Sequence, residues 1–332
     1  MNVDERYALS KSMKREGNMS KNVAAKKNKK HNSWKKEFKR NWSLYLLVAI
    51  PVAYLVIFKY FPMYGVQIAF KDYSLAKGIT GSPWVGMKYF VKFMSNYQFK
   101  TILWNTIAIS LYQLLTFPLA IILALLLNYV GKEKFKKSVQ MITYAPHFIS
   151  TVVMVGIIIQ FLDARSGVVN QIIAAFGGET KNFMAYPEYF RHIYVWTGVW
   201  QGIGYSSIIY IAALSGVSAE LHEAAIIDGA SIIKRIWYVD IPTILPTIVI
   251  MLILQCGSIL SVGYEKIYLM QNSLNLSQSE IISTYVYKQG IASAMPQYSY
   301  STAIGLFVSI VNVILLVIVN TITSKLSDTS LF

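Results

Sequence analysis

The sequence predicts an all-α, polytopic membrane protein with about six transmembrane helices, and two features of its composition lead to that prediction. Hydrophobic residues make up 55% of the 332 positions, and charged residues make up only 14%, against roughly 25% in an average soluble domain. The few charges are also clustered, which leaves six stretches with none that approach or exceed the ~20 residues needed to cross a bilayer core. These stretches are 41–58, 101–128, 138–162, 193–219, 241–264 and 289–324.

Each stretch is predicted to be helical, because lipid offers no hydrogen-bond partner to a backbone N–H or C=O group. Prolines fall inside several of them, which membrane helices tolerate with a kink. The predicted helices cover residues 42–61, 102–128, 139–161, 193–214, 241–262 and 300–322.

The charged segments predict the orientation. Residues 1–40 hold thirteen Lys or Arg and four Asp or Glu, and such an excess stays on the cytoplasmic side. We therefore expect a disordered cytoplasmic tail over 1–40, a transmembrane domain over 41–325, and a cytoplasmic C-terminus. The first predicted outer loop runs against this rule without outweighing the tail, since it carries Lys71, Lys77, Lys88, Lys92 and Lys100. No nucleic-acid partner is predicted, because no globular domain flanks the basic run 26–30 to present it.

The predicted cytoplasmic segment 215–242 has the local signals of two helices joined by a tight corner. Ser218 suits the N-cap of a first helix, and Gly229 suits the left-handed position that ends it. Ser231 suits the cap of a second helix, which is expected to stop before Pro242.

This segment resembles the EAA loop of the permeases of ATP-binding-cassette importers. The residues that carry the resemblance are Glu223-Ala224-Ala225, then Gly229, then 239–242, which read VDIP where the family has Ile-x-Leu-Pro. In that family the loop forms the coupling helix, which docks on the ATPase subunit. The resemblance therefore implies an ATPase-coupling site formed by Glu223, Ala224, Ala225, Asp228 and Gly229. An ordinary amphipathic connector is the alternative interpretation of this segment.

Other stretches resemble one branch of the type I, maltose-permease-like class, the permeases for aldouronates and other polysaccharide-derived oligosaccharides. They are FPMYG (61–65), FKDY (70–73), SPWVG (82–86), YAPHFIS (144–150), ISTYVY (282–287) and YSYSTAIGLF (298–307). The resemblance implies an oligosaccharide cargo and a place in the bacterial cytoplasmic membrane. It also implies three kinds of partner: a second permease subunit, an ATPase dimer and an extracytoplasmic sugar-binding protein, either a lipoprotein or periplasmic.

The chain itself is not predicted to be an enzyme. It has no Gly-x-x-x-x-Gly-Lys-Ser/Thr phosphate loop, so ATP and magnesium would be bound by the partner ATPase and no cofactor by this chain. Its four histidines are scattered, and no metal site is predicted.

Polar and aromatic side chains in the fourth and fifth predicted helices are candidates for the sugar path. Polar groups inside membrane helices tend to face a cavity, which favours Gln201, Tyr205, Trp200 and Gln255. The alternative is that the polar residues pack helix against helix and that the tryptophan lies at the membrane interface.

Two other classes of protein remain as alternatives at this stage. A secondary carrier driven by an ion gradient would favour intramembrane acids and inverted repeats, and only broken helices are partly indicated. A membrane enzyme acting on lipid or sugar would need a catalytic constellation, which the predicted helices lack.

Overall fold

The structure is a computed structural model that describes residues 36–326. Every regular element in this range is helical, and β-type pairing within it is confined to one bridge between Lys71 and Trp84. The all-α prediction is therefore confirmed. Most of the predicted tail 1–40 lies outside the described residues, and its last five positions, 36–40, are helical. The chain divides between Val66 and Gln67 into two compact units.

Eight of the described helices are numbered in chain order. They are α1 (Lys36–Phe70), α2 (Phe99–Tyr129), α3 (Glu133–Tyr144), α4 (Thr151–Phe161), α5 (Pro187–Leu214), α6 (Ala219–Ile227), α7 (Ile232–Cys256) and α8 (Tyr298–Leu326). Shorter helices lie in the connections, at Gly78–Gly81, Lys88–Met94, Val168–Ala175, Tyr264–Met270, Leu276–Ser279 and Ile282–Tyr287.

Within the described residues the structure has four to six candidate membrane crossings, and the predicted six is the upper end of that range. Four of the described helices, α1, α2, α7 and α8, are long and apolar enough to cross a membrane by themselves. Two bent pairs, α3 with α4 and α5 with α6, raise the number to as many as six. α2 passes through Pro118, which begins its second half, Pro118–Tyr129.

The third predicted helix, 139–161, is not one continuous helix. The helical segments Glu133–Phe148 and Thr151–Phe161 meet at 104°. The backbone is extended at Ile149 and Ser150, which interrupts the helix. Pro146, three residues before Ile149, has no N–H to donate to a helical hydrogen bond. The Ser150 hydroxyl then caps α4 by accepting a hydrogen bond from the Val153 N–H at 3.4 Å.

The fifth predicted helix, 241–262, also has different bounds. The second helix of the cytoplasmic segment does not stop before Pro242, because it continues through a π-helical turn, Ile236–Asp240, into the helix Ile241–Cys256. Pro242 lies directly after the π-helical turn, in the first turn of that last segment. At the other end α7 stops at Cys256.

Three buried apolar clusters hold residues 67–326 together. Representative members are Met154, Phe190 and Ile267 of the first, Phe93, Tyr285 and Tyr300 of the second, and Ala124, Tyr210 and Ile244 of the third. α5 contributes to the first and third clusters and packs most extensively against the second half of α2.

α5 also packs closely against α3, and a glycine makes this possible. A Cβ on Gly204 would overlap the Thr143 carbonyl oxygen, so a side chain at this position would push the two helices apart. On another side, α5 lines a cavity together with α2 and α7, and this cavity is described below.

Candidate functional site

The first part of the candidate site is the helix α6, at the end of α5 that the charge pattern assigns to the cytoplasm. The Ser218 hydroxyl accepts a hydrogen bond from the Glu220 N–H at 3.2 Å, and Glu220 places its charge in the first turn. α6 meets α5 at 79°. The predicted helix and its N-cap are both confirmed.

The corner after α6 has the geometry that the sequence predicted. Gly229 has φ +73°, a left-handed conformation that side chains rarely adopt. Its N–H donates to the Ile226 carbonyl at 3.0 Å, and the Ala230 N–H donates to the Ala225 carbonyl at 2.8 Å, the two bonds of a Schellman motif. The Ser231 hydroxyl then accepts from the Lys234 N–H at 3.4 Å and caps α7. Residues 218–231 are called the coupling corner below.

The five predicted coupling residues lie together on the coupling corner. Ala225 is half-buried and the others, Glu223, Ala224, Asp228 and Gly229, are exposed. None of the residues of α6 is buried, although Leu221, Ile226 and Ile227 are large and apolar, and Ile227 is 85% exposed. An exposed apolar surface with two small alanines is typical of an element that a partner covers.

A buried carboxylate joins the coupling corner to the transmembrane helices. Asp240, in the π-helical turn of α7, is fully buried. Its Oδ2 accepts a hydrogen bond from the Tyr129 hydroxyl of α2 at 2.6 Å, and its Oδ1 lies 3.2 Å from Nε2 of His222 of α6. The Arg235 guanidinium lies over the Tyr129 ring, 5.4 Å from its centroid.

The side chain of Asp240 therefore connects its own helix, α7, to α2 and α6. The sequence analysis quoted Asp240 only as part of a motif and missed its partners. The sequence could have indicated these partners. Asp240 is a single acid directly before a charge-free stretch, and a charge buried at such a position needs hydrogen-bond or ionic partners.

The second part of the candidate site is a cavity between α2, α5 and α7, called the central cavity. Its volume is about 630 Å³, within the usual range for a small-molecule site. Its wall is mostly apolar, with a few polar groups. They are Gln113 and Thr116 of α2, Tyr205, Ser206 and Tyr210 of α5, and Gln255 of α7.

A smaller cavity of about 190 Å³ shares two of these groups, Gln113 and Gln255. Its other polar wall residues are hydroxyls, among them Ser258 and Ser261, which follow α7. Amide and hydroxyl groups therefore continue from the central cavity toward the predicted outer side, which suits a ligand rich in hydroxyl groups.

The structure separates the four residues predicted for the sugar path. Tyr205 and Gln255 line the central cavity, and the Tyr205 ring stacks on His147 with 3.9 Å between centroids. The Gln201 amide instead donates to the Ile149 carbonyl at 3.2 Å, across to the break between α3 and α4. Trp200 of α5 is partly exposed and is not one of the described wall residues. Contact of any of the four with cargo stays a prediction.

Gln113 was missed by the sequence analysis. It lies in the second charge-free stretch and borders both cavities. The reasoning applied to Gln255, that a polar side chain inside a membrane helix tends to face a cavity, would have selected it. For metals, no group of three or more His, Cys, Asp or Glu side chains within 36–326 could hold an ion.

Comparison with known proteins gives consistent matches over most of the chain. Residues 116–328 match the family described as "binding-protein-dependent transport system inner membrane component". Protein LplB of Bacillus subtilis (strain 168) is 44% identical over 90% of this chain and 94% of its own length. The polygalacturonan/rhamnogalacturonan transport system permease protein YteP of the same organism is 40% identical over 87% of this chain and 90% of its own.

A solved structure is similar over nearly its whole length. It is a chain of a bacterial alginate ABC transporter in complex with an alginate pentasaccharide-bound periplasmic protein. The two chains are 35% identical and superpose with a TM-score of 0.81, over 89% of this chain and 99% of the other.

Proposed function

The chain belongs to the family of inner membrane components of binding-protein-dependent transport systems, and we propose that its cargo is an oligosaccharide derived from a polysaccharide. It is a multi-pass protein of the bacterial cell membrane and a permease component of an ABC importer. The family assignment leaves the ion-gradient carrier and the membrane enzyme without support.

The central cavity is the observation that carries the cargo proposal. A cavity of about 630 Å³ has room for a short sugar chain, and its wall offers amides, hydroxyls and the Tyr205 ring. Sugars present hydroxyl groups and apolar ring faces, which such a wall can match. Two similar proteins are named for transport of polygalacturonan/rhamnogalacturonan and of alginate, which are polysaccharides.

The proposed partners follow from what the chain lacks and from what its relatives assemble with. It has no phosphate loop, so the energy comes from a pair of ATPase subunits. A second permease chain completes the path across the membrane. An extracytoplasmic sugar-binding protein delivers the cargo, by analogy with the alginate transporter, whose complex includes a periplasmic protein bound to an alginate pentasaccharide.

In the proposed mechanism the coupling corner docks on the ATPase. Leu221, Ile226 and Ile227 provide the apolar contact, and Ala224 lets the partner approach closely. The Schellman motif at Gly229 fixes the angle at which α7 leaves the corner.

Asp240 carries the movement of the corner into the membrane. When nucleotide-driven closure of the ATPase pair displaces α6, His222 displaces Asp240 and with it the π-helical turn of α7. Tyr129 brings α2 into the same movement. Because α2 and α7 both line the central cavity, a displacement at the corner changes the shape of the cavity.

One experiment tests the proposal directly. A complex purified through a tag on this chain is expected to contain an ATPase chain in stoichiometric amount. In proteoliposomes with the binding protein, it should take up α-1,4-linked galactose or galacturonate trimers only when ATP is present on the ATPase side. Absence of the ATPase, or uptake that follows an ion gradient without ATP, contradicts the proposal.

A variant pair tests the docking role of the corner. A224W adds a large side chain to an exposed position of α6 and is expected to abolish ATPase binding and uptake while the chain still inserts in the membrane. S138W makes the same change at an exposed position of α3 and should leave both unchanged. Equal uptake by the two variants would remove the docking assignment.

A further inference from the structure

A third cavity, called the outer cavity, lies on the predicted outer side of the transmembrane domain. Its volume is about 580 Å³, close to that of the central cavity. Its wall includes the segment that follows α7, the short helix Ile282–Tyr287 and the first three turns of α8. Two of the stretches singled out in the sequence, 282–287 and 298–307, therefore meet across this cavity, and the mechanism proposed above uses neither of them.

The wall of the outer cavity offers tyrosine rings and hydroxyl groups. Tyr264 and Tyr287 stack with 4.9 Å between their ring centroids, and Tyr298 is the third tyrosine of the wall. The hydroxyls of these three tyrosines have no hydrogen-bond partner among residues 36–326. The Ser283 hydroxyl donates to the Val262 carbonyl at 2.6 Å, and its oxygen can still accept a hydrogen bond. An unpaired hydroxyl costs free energy in lipid, so this wall favours an occupant that forms hydrogen bonds.

The outer cavity adjoins the two cavities described above. Ser261, Val262 and Gly263 belong both to its wall and to the wall of the smaller cavity of about 190 Å³. The smaller cavity in turn shares Gln113 and Gln255 with the central cavity. The three cavities therefore form a series from the predicted outer side to the middle of the helices. Hydroxyl or amide groups occur in every wall of the series, and a lipid chain would leave them unpaired.

We propose that the outer cavity is a second saccharide-binding site, which holds a sugar ring of the cargo before the cargo moves inward to the central cavity. The tyrosine rings contact the apolar face of the sugar ring, and the hydroxyls of the wall bind the sugar hydroxyls. The inference rests on the proposed function and adds a binding site to it. The site recognises features that all sugars share, so binding there does not depend on the charge of the cargo.

Protection from chemical labelling tests whether a sugar occupies the outer cavity. Thr302, in the second turn of α8, belongs to the wall and is partly exposed. T302C is made in a C256S background, which leaves one cysteine in this chain, and the complete complex in nanodiscs is treated with a maleimide. The trimer that the wild type imports is expected to slow the labelling of T302C, whereas an equal concentration of glycerol should not. Y97C, at a position that is 88% exposed and outside the wall, should be labelled equally fast with and without the trimer.

A cavity-filling variant tests whether the site serves uptake. Gly305 belongs to the wall of the outer cavity, and a Cβ there would meet no atom within 4 Å. G305L therefore places apolar atoms in open space at the wall and is expected to remove the protection of T302C and to reduce uptake severely, with complex yield unchanged. G156L is the matched control, because a Cβ on Gly156 of α4 also meets no atom within 4 Å and Gly156 is in none of the three walls. G156L should import the trimer as the wild type does.

The opposite results would overturn the inference. Equal labelling of T302C with and without the trimer shows that the outer cavity holds no cargo. A T302C that stays unlabelled in the complex without sugar, or a fall in complex yield for G305L, shows that a partner chain covers the cavity instead. Normal uptake by G305L shows that the cavity is not on the sugar path. In all these cases uptake by the wild type leaves the proposed cargo intact, whereas a wild type that imports neither trimer contradicts the proposed cargo and the second site together.

Discussion

The coupling corner and the outer part of the molecule are built from different kinds of contact. In the corner, the hydrogen bonds that set the geometry join residues two to five positions apart, such as Glu220 to Ser218 and Ala230 to Ala225. In the outer part, the Asn105 amide donates to the carbonyls of Ser277 and Glu280, more than 170 positions away, at 3.0 Å each.

The outer contacts are also buried, whereas the corner is exposed. Asn105 is 1% exposed and also accepts a hydrogen bond from the Arg191 guanidinium at 2.9 Å. Asn275, fully buried, donates to the carbonyls of Met184 and Met270. A buried network of this kind fixes one arrangement of the outer helices and loops.

The comparison explains how an exposed element keeps its shape. The shape of the corner is determined by caps and a left-handed glycine rather than by burial, which suits the docking role proposed for it. One long-range contact set, that of Asp240, then joins this locally determined element to the rest of the protein.

The largest expected effect comes from removing that connection. D240N deletes the charge that faces His222 and Tyr129, and a disturbed buried hydrogen bond costs about 1–3 kcal/mol. We expect the ATPase to stay bound and to hydrolyse ATP, while the number of sugars imported per ATP falls sharply. Y129F, which removes one of the contacts, should show a weaker form of the same defect. A wild-type ratio of uptake to hydrolysis in D240N would show that the corner acts on the membrane helices by another route.

A second comparison separates a cavity residue from a packing residue. Q255A changes the cavity wall and should lower uptake with complex yield unchanged. Q201A removes the bond to the Ile149 carbonyl and should lower complex yield and uptake together. Each effect is expected to be about 1 kcal/mol, or roughly fivefold. The measurement is uptake divided by purified complex for each variant. If Q255A loses yield in step with uptake, Gln255 is a packing residue as well.

The smallest expected effect tests the local geometry of the corner. G229A places a Cβ on a residue with φ +73° and should destabilise the corner by about 1 kcal/mol. The apparent melting temperature of the complex and its ATPase content should both fall slightly. G131A is the matched control, because a Cβ there meets no atom within 4 Å and Gly131 has no positive φ. Equal melting temperatures for the two variants would mean that the corner relaxes at no cost.

Features that depend on residues close together in the chain could be predicted without a structure. Long charge-free stretches must be helical where lipid surrounds them. The cap at Ser218 and the left-handed residue Gly229 set the geometry of the corner through contacts between neighbouring residues, so this geometry does not depend on a partner. For the same reason the five predicted coupling residues could be placed on one short element before any tertiary contact was known.

Which polar side chains contact each other depends on how the helices pack, and the sequence did not predict it. The bend between α3 and α4 moves the Ile149 carbonyl to Gln201, so that Gln201 packs while Gln255 lines the cavity. The π-helical turn brings Asp240 to Tyr129 and His222. Periodicity along one helix shows that residues share a face, but the rotation of each helix about its axis is set by packing against its neighbours. The direction in which a polar side chain points inside the membrane is therefore a property of the assembled helices.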